Sequence, residues 1–256
     1  MDFIRVVPIL LLCVPFAARS ADVTFTGRAH DPDTGALLYL ESHAVSDSGG
    51  PRETRVVSYL CTNGAPFARK TLDFEGARLA PAFTLDDARS GVSEGMEWRA
   101  RGFTVFERTR GNAPRSKTLA PVAGLVADAG FDEFVRARWD ELESGTAIVV
   151  PFLVPSRLDT VKFRVRKTGE TTIGGATASV FRLSVASPLG WFLPDIDVSY
   201  READRRLLRY RGITNLRDAE GDMISAQIDF SDADRSDAAV DLAALRARPL
   251  TGSCGR

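Results

Sequence analysis

Strand-like alternation of apolar and polar residues dominates the chain after Asp22. In Thr160-Val161-Lys162-Phe163-Arg164-Val165-Arg166, the side chains of Val161, Phe163 and Val165 fall on one face against charged neighbours, the pattern of a half-buried antiparallel strand. The same period of two runs through Ile224, Ala226, Ile228 and Phe230, and through Phe181, Leu183 and Val185. Further strands are predicted over 23–29, 37–44, 55–61, 67–74, 96–108, 148–154, 196–200 and 207–213. Between them lie turn formers at close spacing, among them Asp47-Ser48-Gly49-Gly50-Pro51, Asn63-Gly64 and Gly174-Gly175, which predict a meandering sheet or barrel. One helix interrupts this pattern. Over 130–142, Phe131, Phe134, Val135, Trp139 and Leu142 recur at helical spacing, with Asp132 and Glu133 in the first turn and Gly145 beyond the end. A second, short helix is expected over 236–247, capped by Ser236, with Val240, Leu242 and Leu245 inward and Pro249 after it. The chain is therefore mainly β, and without a fixed repeat or a polar linker it reads as one domain over 21–256.

The first twenty residues follow a different rule. Arg5 precedes the apolar run from Val6 to Phe16, and small residues follow in Ala17-Ala18-Arg19-Ser20-Ala21, the order of a secretory signal peptide. The run is about half the roughly 20 residues a helix needs to cross a bilayer. Ala18 and Ser20 place cleavage after Ser20, whereas a cut after Ala21 would put Arg19 in a slot that wants a small side chain. Leu12 before Cys13 argues against lipidation there. The expected location is periplasmic or secreted.

Composition changes this picture little. With 33 basic and 34 acidic side chains the net charge is −1, and loss of Asp2, Arg5 and Arg19 with the signal takes it only to −2. That is not the balance of a nucleic-acid binder. At 44% hydrophobic and 26% charged the chain has an ordinary globular composition, and no later segment is apolar and long enough for a transmembrane helix. Two cysteines remain after processing. An oxidising compartment lets Cys61 and Cys254 pair, tying the C-terminal tail to an early strand, with two independent thiols as the alternative.

Motifs for chemistry mostly dissolve on inspection. Gly91-Val92-Ser93-Glu94-Gly95 matches the serine-hydrolase elbow, but it lacks the apolar strand before it and the helix after it, and His30 and His43 both lie upstream. It reads as a loop. No cysteine or histidine spacing suits a metal, no cofactor signature is present, and His30-Asp31-Pro32-Asp33 is turn sequence. Asp195 and Asp197 share a strand face, as a general acid/base pair would, or as solvated edge charges flanking an inward Ile196. Arg205, Arg206, Arg209 and Arg211 form a basic patch without a glycine-rich cradle, which fits the outer face of a hairpin. Two apolar segments are unusual for connections: 188–194, with Leu189, Trp191, Phe192 and Leu193, and 119–126. They plug the core, line a cavity for an apolar ligand, or touch a membrane or partner.

Residues 142–145 leading to 152–157, then Phe163-Arg164-Val165, then Tyr200 through Arg205-Arg206-Leu207 to 210–216 resemble uncharacterised Gram-negative periplasmic proteins of the lipoprotein-localisation (LolA/LolB-like) half-barrel type. The resemblance implies a curled antiparallel sheet, a half-barrel or open barrel, wrapped around one central helix. It brings no catalytic residues, and fold analogy does not transfer lipid binding. The leading functional expectation is an exported non-enzymatic protein that binds an apolar small molecule, a lipid or an envelope protein in its curved sheet, with Phe131, Phe134, Trp139, Trp191, Phe192 and Leu193 as candidate lining residues. The alternatives are a carboxylate-based hydrolase or isomerase at Asp195 and Asp197, in a pocket with Arg157 or Tyr200, and a structural envelope protein.

Overall fold

Fourteen antiparallel strands form one sheet in a computed structural model, which describes residues 22–186, 194–218 and 220–254. Eight come first: β1 (Val23–His30), β2 (Leu37–Ser46), β3 (Thr54–Leu60), β4 (Pro66–Asp73), β5 (Ala82–Asp87), β6 (Val92–Arg99), β7 (Gly102–Arg108) and β8 (Arg115–Leu119). Helices α1 (Gly130–Ala137) and α2 (Trp139–Glu143) follow. The chain then continues through β9 (Ile148–Val154), a 3-10 turn at Pro155–Arg157, β10 (Asp159–Ile173), β11 (Ala176–Val185), β12 (Ile196–Arg201), β13 (Leu207–Arg217), β14 (Met223–Asp237) and α3 (Leu242–Ala247). Each half is a meander, and β1 pairing with β14 joins them, so that the sheet runs from β8 through β1 and β14 to β9.

The alternation expected from sequence sets the faces. Val161, Phe163 and Val165 lie on one side of β10 while Lys162, Arg164 and Arg166 are exposed on the other. The β10–β11 hairpin turns on Gly174 and Gly175, both at positive φ (57° and 82°), with Ile173 opposite Ala176. A two-residue turn with left-handed backbone at both positions matches the twist of the strands, and glycine adopts it without steric cost. A different constraint acts at Gly130, where a Cβ would stand 2.0 Å from the Leu79 carbonyl oxygen. Only a residue without a side chain lets α1 start so close to the 74–82 connection.

Several elements differ from the sequence expectation. The segment 96–108 is two strands with a tight turn, because Ala100 and Arg101 reverse the chain ahead of Gly102. Residues 92–95 belong to β6, not to a loop, and a strand, β5, does precede them, ending at Asp87. The helix over 130–142 is broken at Arg138, whose backbone (φ −112°, ψ 20°) leaves the helical region. Ser236 caps nothing. It lies in β14 opposite Thr24, and α3 is capped by Asp241, whose carboxylate accepts the Ala244 N–H at 2.9 Å.

The two ends of the sheet meet without a ladder between β8 and β9 among the described residues. Arg115 Nη2 donates to the Ser156 carbonyl (2.9 Å), and Lys117 Nζ pairs with Asp159 (2.7 Å). Val126 bridges to Phe152 in parallel fashion, and Leu125, Val126 and Ala127 are buried. The apolar part of 119–126 thus packs into the core beside β9.

Across the outer side of β3 and β4 runs the C-terminal strap. Arg69 Nη1 donates to the carbonyls of Leu245 (3.2 Å) and Arg248 (2.8 Å), and the Thr251 N–H donates to Pro66 O (2.8 Å). The strap ends in a disulfide between Cys61 and Cys254, with Cα atoms 5.4 Å apart.

Candidate functional site

Two kinds of interior lie side by side. The first is an apolar bed made by Val150 of β9, Val165 of β10, Phe181 and Leu183 of β11, and Val198 and Tyr200 of β12. Phe131, Phe134, Val135, Trp139 and Leu142 belong to the same buried cluster, with the Trp139 ring edge-on to Phe181 at 5.4 Å. Of the candidate lining residues, Phe131, Phe134 and Trp139 are thus brought together against the sheet, while Trp191, Phe192 and Leu193 lie outside the described residues.

The helices are held to this bed through polar groups at their margins. Tyr200 Oη donates to Asp132 at 2.6 Å, Arg78 pairs with Glu133 at 3.1 Å, Arg136 Nε donates to the Arg205 carbonyl at 3.3 Å, and Lys167 pairs with Glu143 at 2.7 Å. The Arg205 guanidinium sits 5.4 Å from the centre of the Trp139 ring, a cation–π distance. Burial and the neighbouring Asp132 charge push the Tyr200 phenol well above its ordinary range, so it stays a hydrogen-bond donor.

The second interior is ionic. Register across the first half of the sheet places His43, Val57, Lys70, Leu85, Glu94, Glu107 and Arg115 in one inward row. Lys70 Nζ reaches Asp128 Oδ2 at 2.8 Å, Arg115 pairs with Glu107 at 2.5 Å, and Arg217 approaches Glu107 at 3.7 Å. Burial alone would favour neutral Lys70, but Asp128, Glu41 and Glu94 outweigh it and hold its pKa above the ordinary lysine value. Glu94 is the exception in the row. Cross-strand from Glu107, it receives no hydrogen bond from the described residues, and burial lifts its pKa to about 7 despite the pull of Lys70 and Arg217.

That position has a measurable consequence. Glu94 holds its proton to higher pH in the folded protein than in the unfolded chain, where it titrates near 4.5. Its contribution to stability is therefore fully favourable below about pH 4.5 and is lost as the pH rises through about 7. The pKa difference corresponds to about 3 kcal/mol across this window. Urea unfolding of the wild type should show that decline and Glu94→Gln should lack it; superimposable pH profiles would refute the assignment.

None of these charges was singled out from sequence, yet a signal was present. Glu41, Lys70, Glu94 and Glu107 each occupy the apolar parity of their strand, as with Lys70 between Ala68 and Leu72, or Glu94 between Val92 and Met96. A charge in that position is costly to bury unless paired.

The other candidates fall elsewhere. Arg182 binds both oxygens of Asp197, at 2.7 and 2.8 Å, and lies 3.6 Å from Asp195; Tyr200 is engaged with Asp132, and Arg157 is exposed. Asp31 Oδ1 accepts the N–H groups of Asp33 and Thr34 and the Thr34 hydroxyl, as a turn residue does. Arg206 pairs with Asp232 and Arg209 with Asp229 on the outer face of the sheet. Among the described residues, no group of three His, Cys, Asp or Glu side chains is placed to hold a metal, and no helix is long and apolar enough to cross a membrane.

No family model and no curated protein matches the chain. Among solved structures, a β-barrel-like protein of the domain of unknown function DUF1849 from Brucella abortus aligns with a TM-score of 0.50 at 8% identity, covering 84% of this chain and 99% of that one. The fold is β-barrel-like. Two weaker likenesses are to a DUF1329 family protein from Desulfovibrio piger (TM-score 0.31, 7% identity, 84% and 85% covered) and to a LolA superfamily protein from Nitrosomonas europaea (0.21, 8%, 88% and 90%). Within the β-barrel-like sheet, the ionic row and the apolar bed remain the two places where buried chemistry concentrates.

Proposed function

We propose that this chain, cleaved after Ser20 and folded as one domain in the periplasm, binds an apolar molecule such as a lipid between the β9–β12 bed and the α1–α2 segment. In this reading the curled sheet is a half-barrel around the helix, and the aromatic face of Phe131, Phe134 and Trp139 covers the ligand from above. The observation that carries it is the mode of attachment: a short, broken helix lies on an apolar bed and is fastened at its margins by hydrogen bonds and ion pairs to Tyr200, Arg78, Arg205 and Lys167. The ion pairs among these fastenings exchange for water at modest net cost, the buried Tyr200 hydroxyl at more, and the bed beneath them is apolar.

The reading is tested by native mass spectrometry of protein purified from the periplasm, which reads the mature N-terminus and any retained lipid together. A second measurement uses a fluorescent acyl probe. Tyr200→Phe removes the 2.6 Å bond to Asp132, worth about 1.5–3 kcal/mol when one partner is charged. If the helix lifts to admit ligand, probe affinity should rise about tenfold or more. Unchanged affinity, with no lipid retained by the wild type, would sink the proposal.

A further inference from the structure

The outer face of β10 carries an unusual arrangement of charge. Lys162, Arg164 and Arg166 are all exposed and, at alternate positions, project from the same side of the strand, about 7 Å apart. Their neighbours across the ladders are Pro151 and Val149 on β9, and Ser184 and Arg182 on β11. Arg211 is exposed on β13, in the same row as Arg166 and Arg182. Asp195 and Asp197, the carboxylates next to this row, are both taken by Arg182. Among the described residues, Lys162, Arg164, Arg166 and Arg211 have no carboxylate partner.

Arg166 stands directly opposite Arg182 on the adjacent strand, and because Asp195 and Asp197 are both engaged by Arg182, no carboxylate is left over for Arg166. Elsewhere on the outer surface arginines such as Arg28 and Arg209 meet carboxylates, Asp234 and Asp229. The chain as a whole is slightly acidic, so a cationic field confined to one sheet face is a local departure from the overall balance. Val149, 48% exposed beside Arg164 on the edge strand β9, adds an apolar contact at its border.

We propose that the outer face of β10, with Arg211 of β13, docks this protein onto an anionic phospholipid surface. The face spreads its free charges along one strand and across to another, as a headgroup layer spreads its phosphates in two dimensions. Unpaired guanidinium groups bind phosphate oxygens in bidentate fashion, and an exposed valine beside them adds a small apolar contact at the interface. The inference stands apart from the ligand reading above, because it uses the opposite side of the sheet.

Co-sedimentation with phosphatidylcholine vesicles, with and without phosphatidylglycerol, tests it. Wild type should bind only the vesicles containing phosphatidylglycerol, and molar salt should release it. A basic residue near such a surface contributes about fivefold in partitioning, so the triple variant Lys162→Gln, Arg164→Gln, Arg166→Gln should lose roughly a hundredfold. Arg52→Gln, Arg101→Gln, Arg108→Gln, all exposed elsewhere, should bind as wild type does. Equal loss in both variants, no loss in the first, or no binding of the wild type overturns the proposal. Binding of soluble polyglutamate in place of vesicles, dependent on the same three residues, also overturns it and assigns the face to an acidic polypeptide.

Discussion

Replacing Lys70 with alanine should cost the folded state about 3–5 kcal/mol, the usual penalty for removing one partner of a buried ion pair. Lys70 is 8% exposed, and its ammonium is the cation closest to Asp128, at 2.8 Å, with Glu41 and Glu94 also acting on it. Without it, Asp128, Glu94 and Glu107 repel one another, with Arg115 and Arg217 as the cations that remain near them. The loss should be mostly electrostatic, so a double variant that removes both sides should recover much of it. Lys70→Met with Asp128→Asn keeps the stem volume, and asparagine tolerates the positive φ of 45° that residue 128 adopts. Equilibrium denaturation of the two proteins separates the cases. Equal stability of single and double variants would mean that Lys70 acts through packing, not charge.

A comparable effect is expected at the turn between β3 and β4. Breaking the Cys61–Cys254 bond, by Cys61→Ala with Cys254→Ala, opens a cross-link spanning 193 residues. In the chain-entropy picture that costs at most about 5 kcal/mol. For a chain of this size the thermal midpoint should fall by roughly 10–20 °C. The strap keeps other attachments, since Arg69 binds the carbonyls of Leu245 and Arg248, and Thr251 binds Pro66. Hydrogen exchange should therefore quicken first over 242–254, with the sheet core protected. A midpoint within a few degrees of wild type would show that the strap, not the bridge, holds the end of the chain.

Reading order and face from sequence worked where the governing force is local. The alternation of Val161, Phe163 and Val165 with Lys162, Arg164 and Arg166 was enough to orient β10, because burial on one face of a strand imposes a period of two whatever lies opposite. The boundary at Arg101 was harder, since the apolar pattern continues on both sides of a two-residue turn. Ser236 looked like a helix cap because serine there precedes an apolar run, but β1 offers Thr24 as a partner two hundred residues away, and strand pairing overrides the local preference.

The candidate site divides along the same line. The aromatic face of 131–142 and the opportunity for a disulfide were present in composition and spacing, since helical periodicity and an oxidising compartment need no partner to be recognised. The ionic row was not. Each of Glu41, Lys70, Glu94 and Glu107 is a single charge within a strand, and nothing in its own neighbourhood says which counter-ion will meet it. That meeting depends on β1 joining β14, on the register of five successive hairpins, and on the 125–129 segment carrying Asp128 into the interior. Sequence alone determined most of the strands, though not the short β5 and β8, together with their faces and the residues free to form a bridge, because those follow from short-range periodicity and chemistry. Tertiary structure decided which buried charges neutralise one another and which, like Glu94, are left without a hydrogen bond, because electrostatic energy inside a protein depends on distances that only the folded sheet sets.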